Sequence, residues 1–248
     1  FNRLRDTPES LRLPSVERIT GLMSVAKSER WQVEDEEKLS YMETLKMAIG
    51  NKWVLLVALA NLFTYICRMT FLNWGPTILL EAKGISILKA GLQMVMFDIA
   101  SMFGGVCAGY LSDKVFSGRR GPVSTLYMIM ISALVAILWL APKGMYLASL
   151  LCMFGIGFLI SGPQILIGVA AADFASKKAA STANGLTGTF GYVGMAISGL
   201  GIGVLADHHG WDSVFMAIIL SAVVAALLLS ITWNKKPQIL TEQEGNGD

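Results

Sequence analysis

Beyond residue 52 the chain alternates between long apolar stretches and short polar breaks. The apolar stretches lie at about 53–80, 88–111, 123–141, 145–171, 183–206 and 213–233. Each matches the roughly 20 residues an α-helix needs to cross a hydrocarbon core of about 30 Å. At that depth the backbone must satisfy its own hydrogen bonds, which a helix does. The pattern predicts an all-α membrane protein with six transmembrane helices, joined by EAKGISIL, SDKVFSGRRG, PKG, DFASKKAAST and DHHGWD. An even number of crossings places both ends of the segment on one side. Residues 1–50 read as a cytoplasmic linker, 51–233 as the six-helix body and 234–248 as a polar tail. The linker is mixed in charge, is broken by Pro8 and Pro14, and ends in ERWQVEDEEKLSYMETLKMAI, which has the pattern of an amphipathic helix.

Composition agrees. Apolar residues make up 54% of the 248 positions and charged residues 15%, against roughly 45–50% and about 25% in soluble domains. Mean hydropathy is +0.56. A net charge of +2 gives no sign of a nucleic-acid partner. The opening FNRLRDTPES has neither an initiating methionine nor the basic start and apolar core of a signal peptide, so the segment is expected to belong to a longer chain. Cys67, Cys107 and Cys152 sit in apolar runs without metal or disulfide spacing and read as small hydrophobes. No nucleophile elbow, P-loop or zinc spacing is present, so no enzyme activity, cofactor or metal is expected. His208 and His209, beside Asp207 and Asp212, read as a solvated loop.

Loop charge sets the expected orientation. Loops 112–122, 173–180 and 234–238 carry Lys114, Arg119, Arg120, Lys177, Lys178, Lys235 and Lys236, while the opposite loops carry Lys83, Lys89 and Lys143. The richer side is expected to be cytoplasmic. Trp53, Trp74, Trp139, Trp211 and Trp233 fall near predicted helix ends, as an aromatic belt would place them. With the loop charges set aside, one basic residue of twenty, Arg68, and one acidic residue of eighteen, Asp98, remain well inside helices. An arginine at the bilayer centre costs on the order of 2.5–3.5 kcal/mol. Arg68 lies roughly 18 Å of helix from the far end of its span, which disfavours snorkelling. Two readings stand. Arg68 and Asp98 form a structural ion pair between neighbouring helices, or Arg68 binds an anion through its planar fork while Asp98 holds the guanidinium when the anion leaves.

Other positions extend the second reading. Tyr192 is the phenol of GLTGTFGYVGMAISGLGIG (185–203), whose small residues predict close helix packing. Gly162-Pro163 is expected to kink its helix, with Gln164 as a polar lining residue. Asp113, Lys114, Arg119 and Arg120 in GYLSDKVFSGRRGP read either as plain loop charge or as a cluster locking two helices in one conformation.

Several segments together carry a resemblance. GYLSDKVFSGRRG resembles the loop motif of each half of the major facilitator superfamily. FLISGPQILIGVAAADFASKKAASTANGLTGTFGY resembles helices ten and eleven of its organophosphate:phosphate antiporter family, ANLFTYICRMTFLNWGP the seventh helix, and NRLRDTPESLRLP the start of the central loop. NRLRDTPES and GPQILIG are most similar to the hexose-phosphate transporter and sensor branch, with glycerol-3-phosphate transporters near. The resemblance implies the C-terminal half, helices 7–12, of a carrier that exchanges a phosphorylated sugar for inorganic phosphate across the inner membrane of a bacterium. The partner would be a six-helix N-terminal half, and a kinase in the sensor case. Each half of such a carrier contributes an arginine from its first helix to the substrate phosphate. Arg68 stands at that position, Tyr65 and Tyr192 match site tyrosines, and Asp98 matches an acidic residue of helix eight. Ser161 replaces a tyrosine and Asn73 an aspartate of the glycerol-phosphate carriers, and MAISGLG (195–201) lacks the Asp and Lys of dedicated hexose-phosphate carriers.

Overall fold

The computed structural model describes residues 41–175 and 179–235. The linker before Tyr41, Lys177, Lys178, Lys236 and the tail lie outside the described residues. Regular structure among the described residues is helical. Helix α1 (Tyr41–Gly50) leads into α2 (Lys52–Ala82) through Asn51. The Asn51 side-chain oxygen accepts from the backbone N–H of Trp53 at 2.9 Å and of Val54 at 3.4 Å, filling two donors that a helix start leaves open. Its amide donates to Phe174 O at 2.6 Å, tying this start to the end of another helix.

Helices α3 (Ile87–Val115), α4 (Arg120–Leu140) and α5 (Tyr146–Phe174) follow. From Ala180 to Ser230 the chain is helical for 51 residues, about 76 Å and more than twice the hydrocarbon core. Gly210, with φ 74° and ψ 175°, breaks this run into α6 (180–209) and α7 (211–230). That φ lies in the left-handed region, where glycine carries no steric cost. The six predicted helices are thus α2 to α7. The expected loop DHHGWD is corrected: residues 207–209 close α6, and the connection shrinks to the glycine.

Five-residue π turns at Ile78–Ala82 and Leu111–Val115 carry α2 and α3 beyond their predicted ends. A third, Ile197–Gly201, lies within α6. A π turn disturbs the i→i−4 ladder and frees a carbonyl. Trp74 fills that gap, donating from Nε1 to Ser198 O at 3.2 Å, and the Ser198 and Thr70 hydroxyls meet at 3.0 Å. Trp74 therefore links α2 to α6. Gly162 and Pro163, where a kink is expected, lie inside α5, which runs on through them to Phe174.

Helix α3 packs on α5, α2 on α6 and α7, and α4 on α5 and α7. The closest approach joins α3 to α5. A methyl group on Gly104 would lie 2.5 Å from the carbonyl carbon of Phe158, and one on Gly157 would lie 2.9 Å from that of Phe97. The glycine run of α6 divides instead: Gly191, Gly194 and Gly203 meet α2 closely, while Gly185, Gly188 and Gly199 have nothing within 4 Å. On the other side of α3, Leu88, Met102, Phe103 and Val106 are exposed, a broad apolar face that the described residues leave uncovered.

Candidate functional site

Asn61, Tyr65 and Arg68 lie at helical spacing along one face of α2. Arg68 is half-buried, and its Nη1 donates to Ser161 Oγ on α5 at 3.3 Å. Ser161 Oγ in turn touches Ser101 Oγ of α3 in a short hydroxyl contact. Arg68 Nε is buried and has no hydrogen-bond partner. One edge of the guanidinium is thus anchored to a hydroxyl pair, and a donor beside it is unspent.

Tyr65, one turn away, accepts from Gln164 Nε2 at 3.0 Å through its hydroxyl. Its ring meets that of Tyr192 edge to face, with centroids 6.4 Å apart and planes at 69°. Gly191 keeps α6 clear of it, since a Cβ there would lie 3.0 Å from the Tyr65 ring. Asn61 Nδ2 donates to Thr187 O of α6 at 2.8 Å, and its own carbonyl oxygen is buried without a partner. The four sequence candidates Arg68, Tyr65, Gln164 and Tyr192 therefore converge from α2, α5 and α6.

Asp98 does not join them as a direct partner. Arg68 and Asp98 form no ion pair, and Asp98 is exposed on α3. It acts on the guanidinium only through its longer-range field. The expected contact is not made, because Asp98 lies exposed on α3, outside ion-pair distance of the guanidinium. Ser101 was not singled out in the sequence, and a serine inside an apolar helix gives no signal of its own.

Residues 4–199 match the family described as the Major Facilitator Superfamily. The chain belongs to this superfamily. It is 36% identical to a "Probable hexose phosphate transport protein" of Chlamydia muridarum, over 97% of this chain and 54% of that protein. It is 36% identical to a "Glycerol-3-phosphate transporter" of Bacillus subtilis, over 93% and 52%. It is 34% identical to the "Membrane sensor protein UhpC" of Escherichia coli, over 92% and 51%. The chain spans about half the length of these relatives.

At one end of this superfamily six-helix unit, the loop charges separate. Arg120 Nη1 pairs with Asp113 and donates to Ser112 Oγ at 3.1 Å, while its Nε lies 3.5 Å from Asp173 Oδ2. Arg119 Nε donates to Phe116 O at 3.2 Å, and Lys114 is exposed. Asp113 and Arg120 thus form the expected cluster, Lys114 and Arg119 stay outside it, and Asp173 joins from the end of α5. Its place in DFASKKAAST marked it only as a loop charge.

At the opposite end Lys83, counted among the loop charges in the sequence, is buried. It is 5% exposed, and its Nζ donates to the carbonyls of Trp139 at 2.8 Å and Ala141 at 2.9 Å, which end α4 without helical donors. Burial pushes the ammonium below the ordinary lysine range, while Asp212 nearby acts the other way. Trp139 Nε1 donates to Asp212 at 2.8 Å, and Trp211 Nε1 donates to Glu81 at 3.0 Å. These three links join α2 to α4, α4 to α7 and α7 to α2, around a cavity of about 420 Å³. His208 and His209 stack edge to face, and no group of three metal-ligating side chains is assembled among the described residues.

Proposed function

We propose that this chain is the C-terminal half of a secondary transporter that exchanges a phosphorylated sugar, of hexose 6-phosphate type, for inorganic phosphate across the bacterial inner membrane. The observation that carries the reading is Arg68: a guanidinium at membrane depth, with no carboxylate in contact and a buried unpaired Nε–H. A group so costly to place is retained where it binds an anion, and a planar fork suits a phosphate's oxygens. Tyr65, Gln164 and Tyr192 then line the organic part of the substrate. In the empty site Ser161 and the field of Asp98 offset the cost of the charge. When loaded, the anion does so itself.

The N-terminal half supplies the second arginine and the other wall, and alternating access is the rocking of the two halves about this site. The basic loops lie in the cytoplasm with both ends of the segment, and the Arg120–Asp113–Asp173 cluster holds α3, α4 and α5 together there in one of the two conformations. No catalysis and no cofactor enter this mechanism. A glycerol-phosphate substrate is disfavoured by Ser161 and Asn73 at the positions where those carriers have a tyrosine and an aspartate.

The uncharged stretch MAISGLG favours a second reading, a sugar-phosphate sensor that signals to a kinase. Full-length protein in phosphate-loaded proteoliposomes separates the two. Uptake of labelled glucose 6-phosphate against internal phosphate supports the exchanger, while binding without uptake supports the sensor.

A further inference from the structure

Buried hydroxyls in this chain mostly turn back on their own helix. Thr64, Thr70, Ser124, Thr125 and Ser149 each donate to a carbonyl one turn earlier, the usual way a serine or threonine is satisfied inside a helix. Ser101 and Ser161 make no such bond. Both are nine-tenths buried, their hydroxyls meet each other, and that of Ser161 also accepts from the Arg68 Nη1–H.

Donor counting gives the consequence. Each hydroxyl carries one hydrogen. One of the two hydrogens is spent between the serines. The Arg68 contact spends the arginine's hydrogen and none of theirs. One O–H of the couple therefore remains unspent, and the guanidinium that the couple touches has an unpaired Nε–H of its own. The helices are held for this contact, because the approaches at Gly157–Phe97 and Gly104–Phe158 bracket Ser101 on α3 and lie about one turn before Ser161 on α5.

We propose that Ser101 and Ser161 form a hydroxyl couple that gives one neutral hydrogen bond to a tetrahedral phosphate held by Arg68. The inference rests on the proposed phosphate site and deepens it by naming donors on α3 and α5. In the empty state the couple holds Nη1 in place. In the loaded state its spare hydrogen turns to a phosphate oxygen, so it serves inorganic phosphate and phosphate esters alike. Either serine alone keeps one hydrogen to give, so the two act as a unit.

The test uses the full-length carrier in proteoliposomes, with labelled inorganic phosphate as the probe and glucose 6-phosphate as competitor. S101A/S161A is expected to weaken both ligands by a similar factor, roughly ten- to a hundredfold, as befits a lost hydrogen bond to a charged group. Each single alanine variant should lose clearly less than half of that on a logarithmic scale. S101C/S161C keeps the volume and replaces the hydroxyls with weak donors, so its loss should follow the double alanine variant even if the latter is less stable. Unchanged phosphate affinity in both double variants overturns the inference, as does a loss confined to glucose 6-phosphate. If the unmodified carrier binds neither ligand, the proposed function falls and the inference falls with it. If it binds both and the double variants bind equally well, only the inference falls.

Discussion

Gly104→Ala tests the geometry on which the site depends. The added methyl carbon would lie 2.5 Å from the Phe158 carbonyl carbon and closer still to its oxygen. Ordinary contact begins near 3.4 Å, so α3 must retreat from α5 by roughly 0.9 Å or more at this point, against backbone rather than a yielding side chain. The retreat also forfeits the close packing at Gly157, where α5 lies against the Phe97 backbone. Overpacking of this kind costs typically about 1–3 kcal/mol, and the rigid neighbour puts Gly104→Ala at the upper end. The same retreat draws Ser101 from Ser161, so anion affinity should fall along with stability. Gly109→Ala on the same helix is the control, since nothing lies within 4 Å of the added carbon. Thermal melting of the purified full-length carrier, with and without phosphate, measures both effects. If Gly104→Ala melts and binds like Gly109→Ala, the α3–α5 backbone contact does not exist as described.

Other substitutions probe other parts. Arg68→Lys keeps the charge and loses the fork; phosphate affinity should fall roughly ten- to a hundredfold, and wild-type exchange in that variant would remove Arg68 from the site. Lys83→Ala leaves two carbonyls at the end of α4 and the Asp212 carboxylate without their buried cation, and should destabilise by about 1–3 kcal/mol in a melting assay. Arg120→Ala removes partners of Asp113 and Asp173 at a partly exposed position, where ion pairs contribute little to stability. It should therefore alter exchange rate more than melting temperature, and the reverse ranking would mark the cluster as purely structural.

The fold was legible because a bilayer simplifies the problem. Any run of about 20 apolar residues becomes a helix, and the even spacing of the runs implied six crossings. Arg68 was legible for the same reason, since subtracting loop charges left it nearly alone. Its contact was less so. Opposite charge suggested Asp98, but which side of α3 a residue occupies depends on the α3–α5 packing, and that packing turns on two glycines outside the glycine-rich stretch. Abundance of glycine in 185–203 therefore misdirected attention from Gly104 and Gly157, where single absent methyl groups matter most. Lys83 and Asp173 were hidden because loop charge was counted by position alone. Near a helix end, a lysine's long stem can reach carbonyls across the bundle, and sequence order does not reveal which.

The links at the Lys83 end bear on how motion in the proposed carrier can be observed. Three struts joined in a triangle cannot shear unless one side breaks. The Lys83 contacts and the two indole–carboxylate bonds are the sides of such a triangle among α2, α4 and α7. Spectroscopic distances measured between those three helices should stay constant through a transport cycle, and the indoles of Trp139 and Trp211 should report no change. A label on any one of these helices, paired with a label on the proposed N-terminal half, would follow the entire swing, making this corner a fixed reference frame for the moving parts.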